Sequence, residues 1–301
     1  MDVEENDMKI ILGPSSIELG RKIAEILGVK AVSIAHKKFP DGESYIRFEE
    51  EIAGEEVVIV QSTGPPQDTN LIQLFILADA AKDLGAKRVV AVVPYLAYAR
   101  QDKRFLPGEA ISMQTIEKLL KASGVDELIT VNVHEKKVLG KLEIPAKNVS
   151  AIGLLADHFR SRGLEDAFAL APDEGAAELA IEASKILGGG YGWLHKERDR
   201  YSGEIKIEEK ILDVSGKDVI IFDDIISTGG TIANAVKILK KQCARRVYAA
   251  CVHPLMIGNA KERILQSGAE EIVGTDSVPS NVTVVSLAPL LAEALAGKVK
   301  G

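Results

Sequence analysis

Gly216-Lys217-Asp218-Val219-Ile220-Ile221-Phe222-Asp223-Asp224-Ile225-Ile226-Ser227-Thr228-Gly229-Gly230-Thr231 is the stretch on which the fold turns. Its β-branched run predicts a buried strand ending at Phe222, and the hydroxyls and glycines at 227–231 predict the start of a helix running through Leu239. A strand feeding a helix is the repeating unit of α/β folds with a largely parallel sheet. The same alternation extends along the chain. Strands are predicted at 9–12, 57–60, 88–93, 128–133, 167–171, 191–195 and 247–252. Helices are predicted at 17–27, capped by Ser16 and stopped by Gly28, at 70–84, and from Ser112 onward.

The opening segment also has an echo. Gly54-Glu55-Glu56-Val57-Val58-Ile59-Val60 resembles residues 216–222 at an offset of 162. Ala86-Lys87-Arg88-Val89 resembles Ala244-Arg245-Arg246-Val247 at 158, and Ser123-Gly124-Val125-Asp126-Glu127 resembles Ser267-Gly268-Ala269-Glu270-Glu271 at 144. The order is kept while the offset falls, as it would if the first half carried extra loop residues, notably at 100–109. Two copies of one α/β module explain this pattern. The predicted domains are 1–150 and 151–301, with the last helix packing back on the first. Where the second copy has Asp223-Asp224, the first has Gln61-Ser62, so the halves have different tasks.

Composition removes several classes. With 301 residues, 46% apolar and 27% charged, the chain is an ordinary globular protein of two modest domains. A net charge of −7 argues against a general nucleic-acid binder. No apolar run is long enough to span a bilayer, and the acidic N-terminus is unlike a secretory signal. The two cysteines, Cys243 and Cys251, offer neither a disulfide framework nor zinc spacing, and both are expected to be buried. The expected location is cytoplasmic.

Ligands in such folds bind beyond the carboxyl ends of the strands. Hydroxyls and glycines at a helix start present backbone N–H groups to an anion, and the helix dipole favours negative charge there. Asp223 and Asp224 would repel a phosphate but accept hydrogen bonds from vicinal hydroxyls. Carboxylates for a diol beside amides for a phosphate describe a ribose 5-phosphate site.

The segment 222–231 resembles the binding motif of type I phosphoribosyltransferases and of ribose-phosphate diphosphokinases. The first half separates these two. Pro94-Tyr95-Leu96-Ala97-Tyr98-Ala99-Arg100-Gln101-Asp102-Lys103-Arg104 resembles the ATP-binding loop of the diphosphokinases. Phe39-Pro40-Asp41-Gly42-Glu43 is similar to their adenine-binding hairpin, and Lys196-Glu197-Arg198 to their catalytic flexible loop. The match runs in order over nearly the whole chain and is of an archaeal-like type. It implies two tandem type I phosphoribosyltransferase-like domains, each a mostly parallel sheet flanked by helices.

The resemblance further implies residue roles. Phe39, Asp41, Glu43, Arg100, Gln101, Asp102, Lys103 and His134 would bind ATP. Asp223 and Asp224 would hold the ribose hydroxyls, and Ser227, Thr228, Gly229, Gly230 and Thr231 the 5-phosphate. His134 and Asp173 would serve Mg²⁺, while Lys196 and Arg198 would stabilise the transferring group. The sequence departs from the commoner family pattern at Asn132 and Ser227, where many members carry Asp, and at Glu135-Lys136-Lys137.

The implied reaction is transfer of the diphosphoryl group of Mg-ATP to C1 of ribose 5-phosphate, giving 5-phosphoribosyl 1-diphosphate and AMP for nucleotide, histidine and tryptophan biosynthesis. The family's adenine hairpin reaches a neighbour's site, which implies at least a homodimer. Two alternatives are a phosphoribosyltransferase and a non-catalytic regulatory homologue. The first leaves 39–43 and 100–104 unexplained; the second leaves Lys196, Arg198, His134 and Asp173 without a purpose.

Overall fold

The computed structural model describes residues 8–198, 205–208 and 212–296, with 195–198 and 205–208 described by backbone alone. They fall into two compact units, Met1–Val149 with Ser286–Gly301, and Ser150–Val285.

The first unit runs β1 (Met8–Leu12), α1 (Ile17–Leu27), β2 (Lys30–Val32), β3 (Ile34–Lys38), β4 (Ser44–Phe48), β5 (Glu56–Val60), α2 (Gln67–Asp83), β6 (Arg88–Val93), α3 (Ser112–Ala122), β7 (Glu127–Val131) and β8 (Ala146–Val149). Its sheet has the order β2-β1-β5-β6-β7-β8 with every pair parallel, and β3–β4 is a separate antiparallel hairpin. Residues 57–60 and 89–93 are fully buried on both faces, as a parallel sheet flanked by helices demands. Each such Val or Ile contributes about 1.5–3 kcal/mol by leaving water.

The second unit runs α4 (Ile152–Ser161), β9 (Phe168–Ala171), α5 (Ala177–Leu187), β10 (Tyr191–Trp193), β11 (His195–Arg198), β12 (Ile205–Glu208), β13 (Asp218–Ile226), α6 (Gly230–Lys241), β14 (Arg246–Pro254), α7 (Ala260–Gln266), β15 (Glu271–Thr275) and β16 (Thr283–Val285). Its parallel sheet, β10-β9-β13-β14-β15-β16, repeats the first sheet's order strand for strand, and the antiparallel hairpin β11–β12 stands where β3–β4 stands. The echo holds in register too. Val90 pairs with Glu127 and Tyr248 with Glu271, each residue displaced by its predicted offset. The chain's last helix, α8 (Ala288–Ala296), belongs to the first unit, where it packs on α1 and its Ala294 carbonyl accepts from Lys147 Nζ at 3.5 Å. In the second unit, α4 packs on α5 in the corresponding way.

Asp218 at the foot of β13 is 6% exposed and receives four hydrogen bonds of 2.6–3.0 Å from Arg245 and Arg246. The two guanidiniums hold its carboxyl well below the usual carboxylate range.

Several expectations need correction. β13 runs on through the two aspartates to Ile226, because β14 is equally long and pairs Asp223 with Cys251 and Ile225 with His253. The strand expected at 128–133 stops at Val131, with Asn132 at φ 36°. Residues 191–195 divide between β10 and β11, so Lys196 and Arg198 stand in a hairpin strand rather than after one. Ser16 precedes α1 but does not cap it; its hydroxyl accepts from Ser62 N at 2.8 Å. Of the cysteines, Cys251 is buried and Cys243 exposed.

Candidate active site

In the second unit, β13 carries Asp223 and Asp224 to the carboxyl end of the sheet. Both are half-buried. Asp223 Oδ1 accepts from Asp224 N at 3.0 Å and Asp224 Oδ1 from Ile225 N at 2.8 Å, which fixes both carboxylates. Burial raises the Asp223 carboxyl well above the usual range, and the charges of Asp224 and then Asp173 push it further. Asp173 opens a short 3₁₀ turn after β9. Three carboxylates thus share one strand-end edge, and the sequence-predicted Asp173 is brought to the predicted acidic pair.

Residues 227–229 lead into α6, which starts at Gly230 with Gly229 at its N-cap position. Gly229 has φ 75°, and a Cβ there would lie 3.1 Å from the Ala260 carbonyl oxygen. Only glycine meets both conditions. Among the described residues, none accepts a hydrogen bond from the N–H groups of Ser227, Thr228 and Gly229. A helix start with free N–H groups and an αL glycine suits a phosphate.

The corresponding place in the first unit is closed. Gln61 is fully buried; its Oε1 accepts from Ser15 N at 3.1 Å and its Nε2 donates to Asn70 O at 3.2 Å. Thr63 Oγ1 donates to Tyr95 O at 2.7 Å and accepts from Ala97 N at 2.8 Å. The strand end is filled by its own side chains.

Apart from His134, the predicted ATP residues of the first unit fall in two places. At the hairpin turn, Phe39 is 41% exposed, its ring edge-on to Tyr45 with centroids 5.8 Å apart. Lys37 Nζ sits 5.5 Å from the Phe39 centroid and 5.2 Å from that of Tyr45. Asp41 and Glu43 are exposed; Asp41 Oδ1 accepts from Glu43 N at 3.1 Å, and Phe39 N donates to Glu43 O at 2.8 Å. An exposed aromatic on a pinned turn can stack on a base.

The second place is the segment after β6. Tyr98, at φ 66°, donates its hydroxyl to Asp68 in the first turn of α2. Arg100 and Lys103 are exposed, Gln101 and Asp102 half-buried. Sequence reasoning missed the group that organises this loop, Glu109. Its Oε2 accepts from Phe105 N at 2.7 Å, Leu106 N at 3.0 Å and Gln101 Nε2 at 3.4 Å, while its carbonyl takes Arg104 Nε at 2.9 Å. The Leu106 and Phe105 N–H groups lower its carboxyl from the ordinary value. The one signal in the sequence was an acid closing a basic loop.

His134 is exposed, three residues past the end of β7. Nearby, Glu135 caps the 3₁₀ turn at Lys136–Lys141 by accepting from Lys137 N at 3.2 Å, which gives that departure from the pattern a structural purpose. His134 lies in the first unit and Asp173 in the second. Among the described residues, no three His, Cys, Asp or Glu side chains form a ready metal-binding group. Lys196 and Arg198 pair through their backbones with Ile207 and Ile205. Their side chains, and the polar stretch at 199–204, lie outside the described residues.

Residues 8–124 match the family model described as the N-terminal domain of ribose phosphate pyrophosphokinase, and residues 142–288 match that of the phosphoribosyl transferase domain. The chain is 44% identical to a ribose-phosphate pyrophosphokinase of Methanopyrus kandleri, covering 96% of this chain and 98% of that one. It is likewise 44% identical to one of Methanobrevibacter smithii, covering 95% and 99%. The crystal structure of a phosphoribosylpyrophosphate synthetase from Mycobacterium smegmatis superposes with a TM-score of 0.87 at 31% identity, over 97% of this chain and 99% of that one.

Proposed function

The chain belongs to the ribose-phosphate pyrophosphokinase family, and we infer on that premise how its residues divide the reaction. It is a ribose-phosphate diphosphokinase, converting ATP and ribose 5-phosphate into 5-phosphoribosyl 1-diphosphate and AMP. The C1 hydroxyl oxygen attacks the β-phosphorus in line. A C1–O–P bond forms, the bond from the β-phosphorus to the bridging oxygen of the α-phosphate breaks, AMP departs with that oxygen, and the hydroxyl proton is released. Such a transfer depends mainly on positioning and charge neutralisation.

The observation that supports the assignment best is the pairing of a crowded acidic strand end with free loop amides on consecutive residues. Asp223 and Asp224 take the ribose hydroxyls, and residues 227–231 the 5-phosphate. Phe39 stacks on adenine while Asp41 and Glu43 read its polar edge. Arg100, Gln101, Asp102, Lys103 and His134 handle the triphosphate, with Lys196 and Arg198 acting at the transferring group.

The cation we propose is Mg²⁺, which takes hard oxygen donors. Asp173 supplies such donors, and the like-charge crowding that raises Asp223 is the kind a divalent cation relieves. In the first unit, His134 is the candidate for a contact to Mg²⁺ through water. When bound, Mg²⁺ neutralises charge on the triphosphate.

We also propose at least a homodimer. Its support is the outer face of α2, where Ile72 is 54% and Ile76 36% exposed, one helical turn apart. A cytoplasmic site of action fits two free cysteines and no disulfide framework. Incubation with ATP, Mg²⁺ and ribose 5-phosphate, without any nucleobase, tests the function. AMP release is the expected outcome; ligand binding without AMP would contradict it.

A further inference from the structure

Three successive carbonyl oxygens of the sugar-phosphate loop are held from one side. Met256 N donates to Ile226 O at 3.1 Å, Ile257 N to Ser227 O at 2.9 Å, and Arg263 Nη1 to Thr228 O at 3.0 Å. The peptide bonds here are trans, so each N–H points opposite to the carbonyl before it. The N–H groups of Ser227, Thr228 and Gly229 therefore turn away from 256–263 together, as an anion-binding nest requires.

Two of the three ties are backbone bonds, which any residue supplies. The third depends on one side chain. Arg263 Nη2 donates to Asn259 Oδ1 at 3.2 Å, so the guanidinium is anchored one turn back while Nη1 holds Thr228. The loop rides directly on α7, since a Cβ on Gly229 would meet both the Ala260 carbonyl oxygen and Ile264 within 3.2 Å.

We propose that Arg263 is a positioning residue for the 5-phosphate of the sugar substrate. It fixes the peptide between Thr228 and Gly229 so that the Gly229 N–H stays aimed at the phosphate. A flip of that peptide would turn a carbonyl toward the anion, replacing attraction by repulsion. Arg263 makes the flip cost a charge-assisted hydrogen bond. Glycine at 229 leaves the backbone otherwise free to attempt it. Arg263 also places a permanent positive charge behind a loop to which Ser227 brings none. The inference rests on reading 227–231 as the 5-phosphate loop.

The test compares wild type with Arg263→Met, which keeps the apolar stem, and Arg263→Lys, which keeps the charge and one donor. Arg263→Met should raise KM for ribose 5-phosphate roughly tenfold, the loss of about one charged hydrogen bond. KM for ATP and kcat at saturating sugar should stay within about twofold, with Arg263→Lys intermediate. Unphosphorylated ribose, as a competing inhibitor, should bind both variants as it binds wild type. An unchanged KM for ribose 5-phosphate in Arg263→Met overturns the proposal, as does an equal weakening of ribose. If Arg263→Met does not fold, the decision passes to Arg263→Lys, whose KM must rise for ribose 5-phosphate alone. Asp223→Asn/Asp224→Asn separates the two levels. If it weakens both sugars and Arg263→Met does nothing, only the positioning role fails; if it weakens neither, the sugar-site reading fails.

Discussion

Gln61 occupies in the first unit the position that Asp223 holds in the second. Each directly follows a residue, Val60 or Phe222, paired in register with the next strand at Val92 or Ala250. The fold is the same at both places and the chemistry opposite. Gln61 is buried with its amide bonded on both sides, so that strand end is stable and shut. Asp223 is a carboxyl raised by burial and by two neighbouring acids, so its strand end is costly and open to ligand.

Asp223→Asn should stabilise the free protein while destroying sugar binding. In the folded chain the Asp223 carboxyl is raised, whereas in the unfolded chain it titrates near about 4. Above that pH the folded state binds more protons than the unfolded one, so stability falls as pH rises toward the folded value. Thermal melts against pH should show this slope in wild type and lose it in Asp223→Asn. A variant that melts lower than wild type at neutral pH would contradict the assignment.

Glu109→Gln should loosen the ATP loop. The variant keeps the shape but weakens acceptance from Phe105, Leu106 and Gln101. KM for ATP should rise roughly threefold to tenfold with KM for ribose 5-phosphate unchanged. Equal changes in both would mean the carboxylate does not act on this loop.

Lys196→Ala should lower kcat by roughly 10²–10³-fold, the usual cost of one group that stabilises developing charge. Equilibrium binding of ATP and ribose 5-phosphate should survive. Near-normal kcat would remove Lys196 from the mechanism.

Asp218→Asn, far from this chemistry, should cost about 1–3 kcal/mol of stability, because two arginines lose a charged acceptor. The folded carboxyl lies below its unfolded value, so the contribution is present above about pH 4 and lost as pH falls toward the folded value. Denaturant melts of wild type and variant should therefore converge under acid. A gap that persists at low pH would argue for a packing effect.

Much of this was legible in sequence because duplicated strands repeat buried β-branched residues, and the echo in 54–60 and 216–222 reports one register twice. The acidic pair and glycine loop were legible for the same reason: their chemistry is local. What stayed hidden depends on tertiary partners. Nothing in residues 247–252 announces that β14 continues to Pro254 and draws β13 past its aspartates. Arg263 reads as one charge on a short surface helix until Thr228 is placed beside it. Glu109 reads as loop polarity until four donors converge on its carboxylate and carbonyl.

The most direct test of the central claim is the stoichiometry of ribose 5-phosphate binding by titration calorimetry, with Mg²⁺ and without ATP. If the second unit alone takes the sugar, wild type binds one molecule per chain and Asp223→Asn/Asp224→Asn binds none. Two molecules per chain, or undiminished binding by the variant, would contradict it.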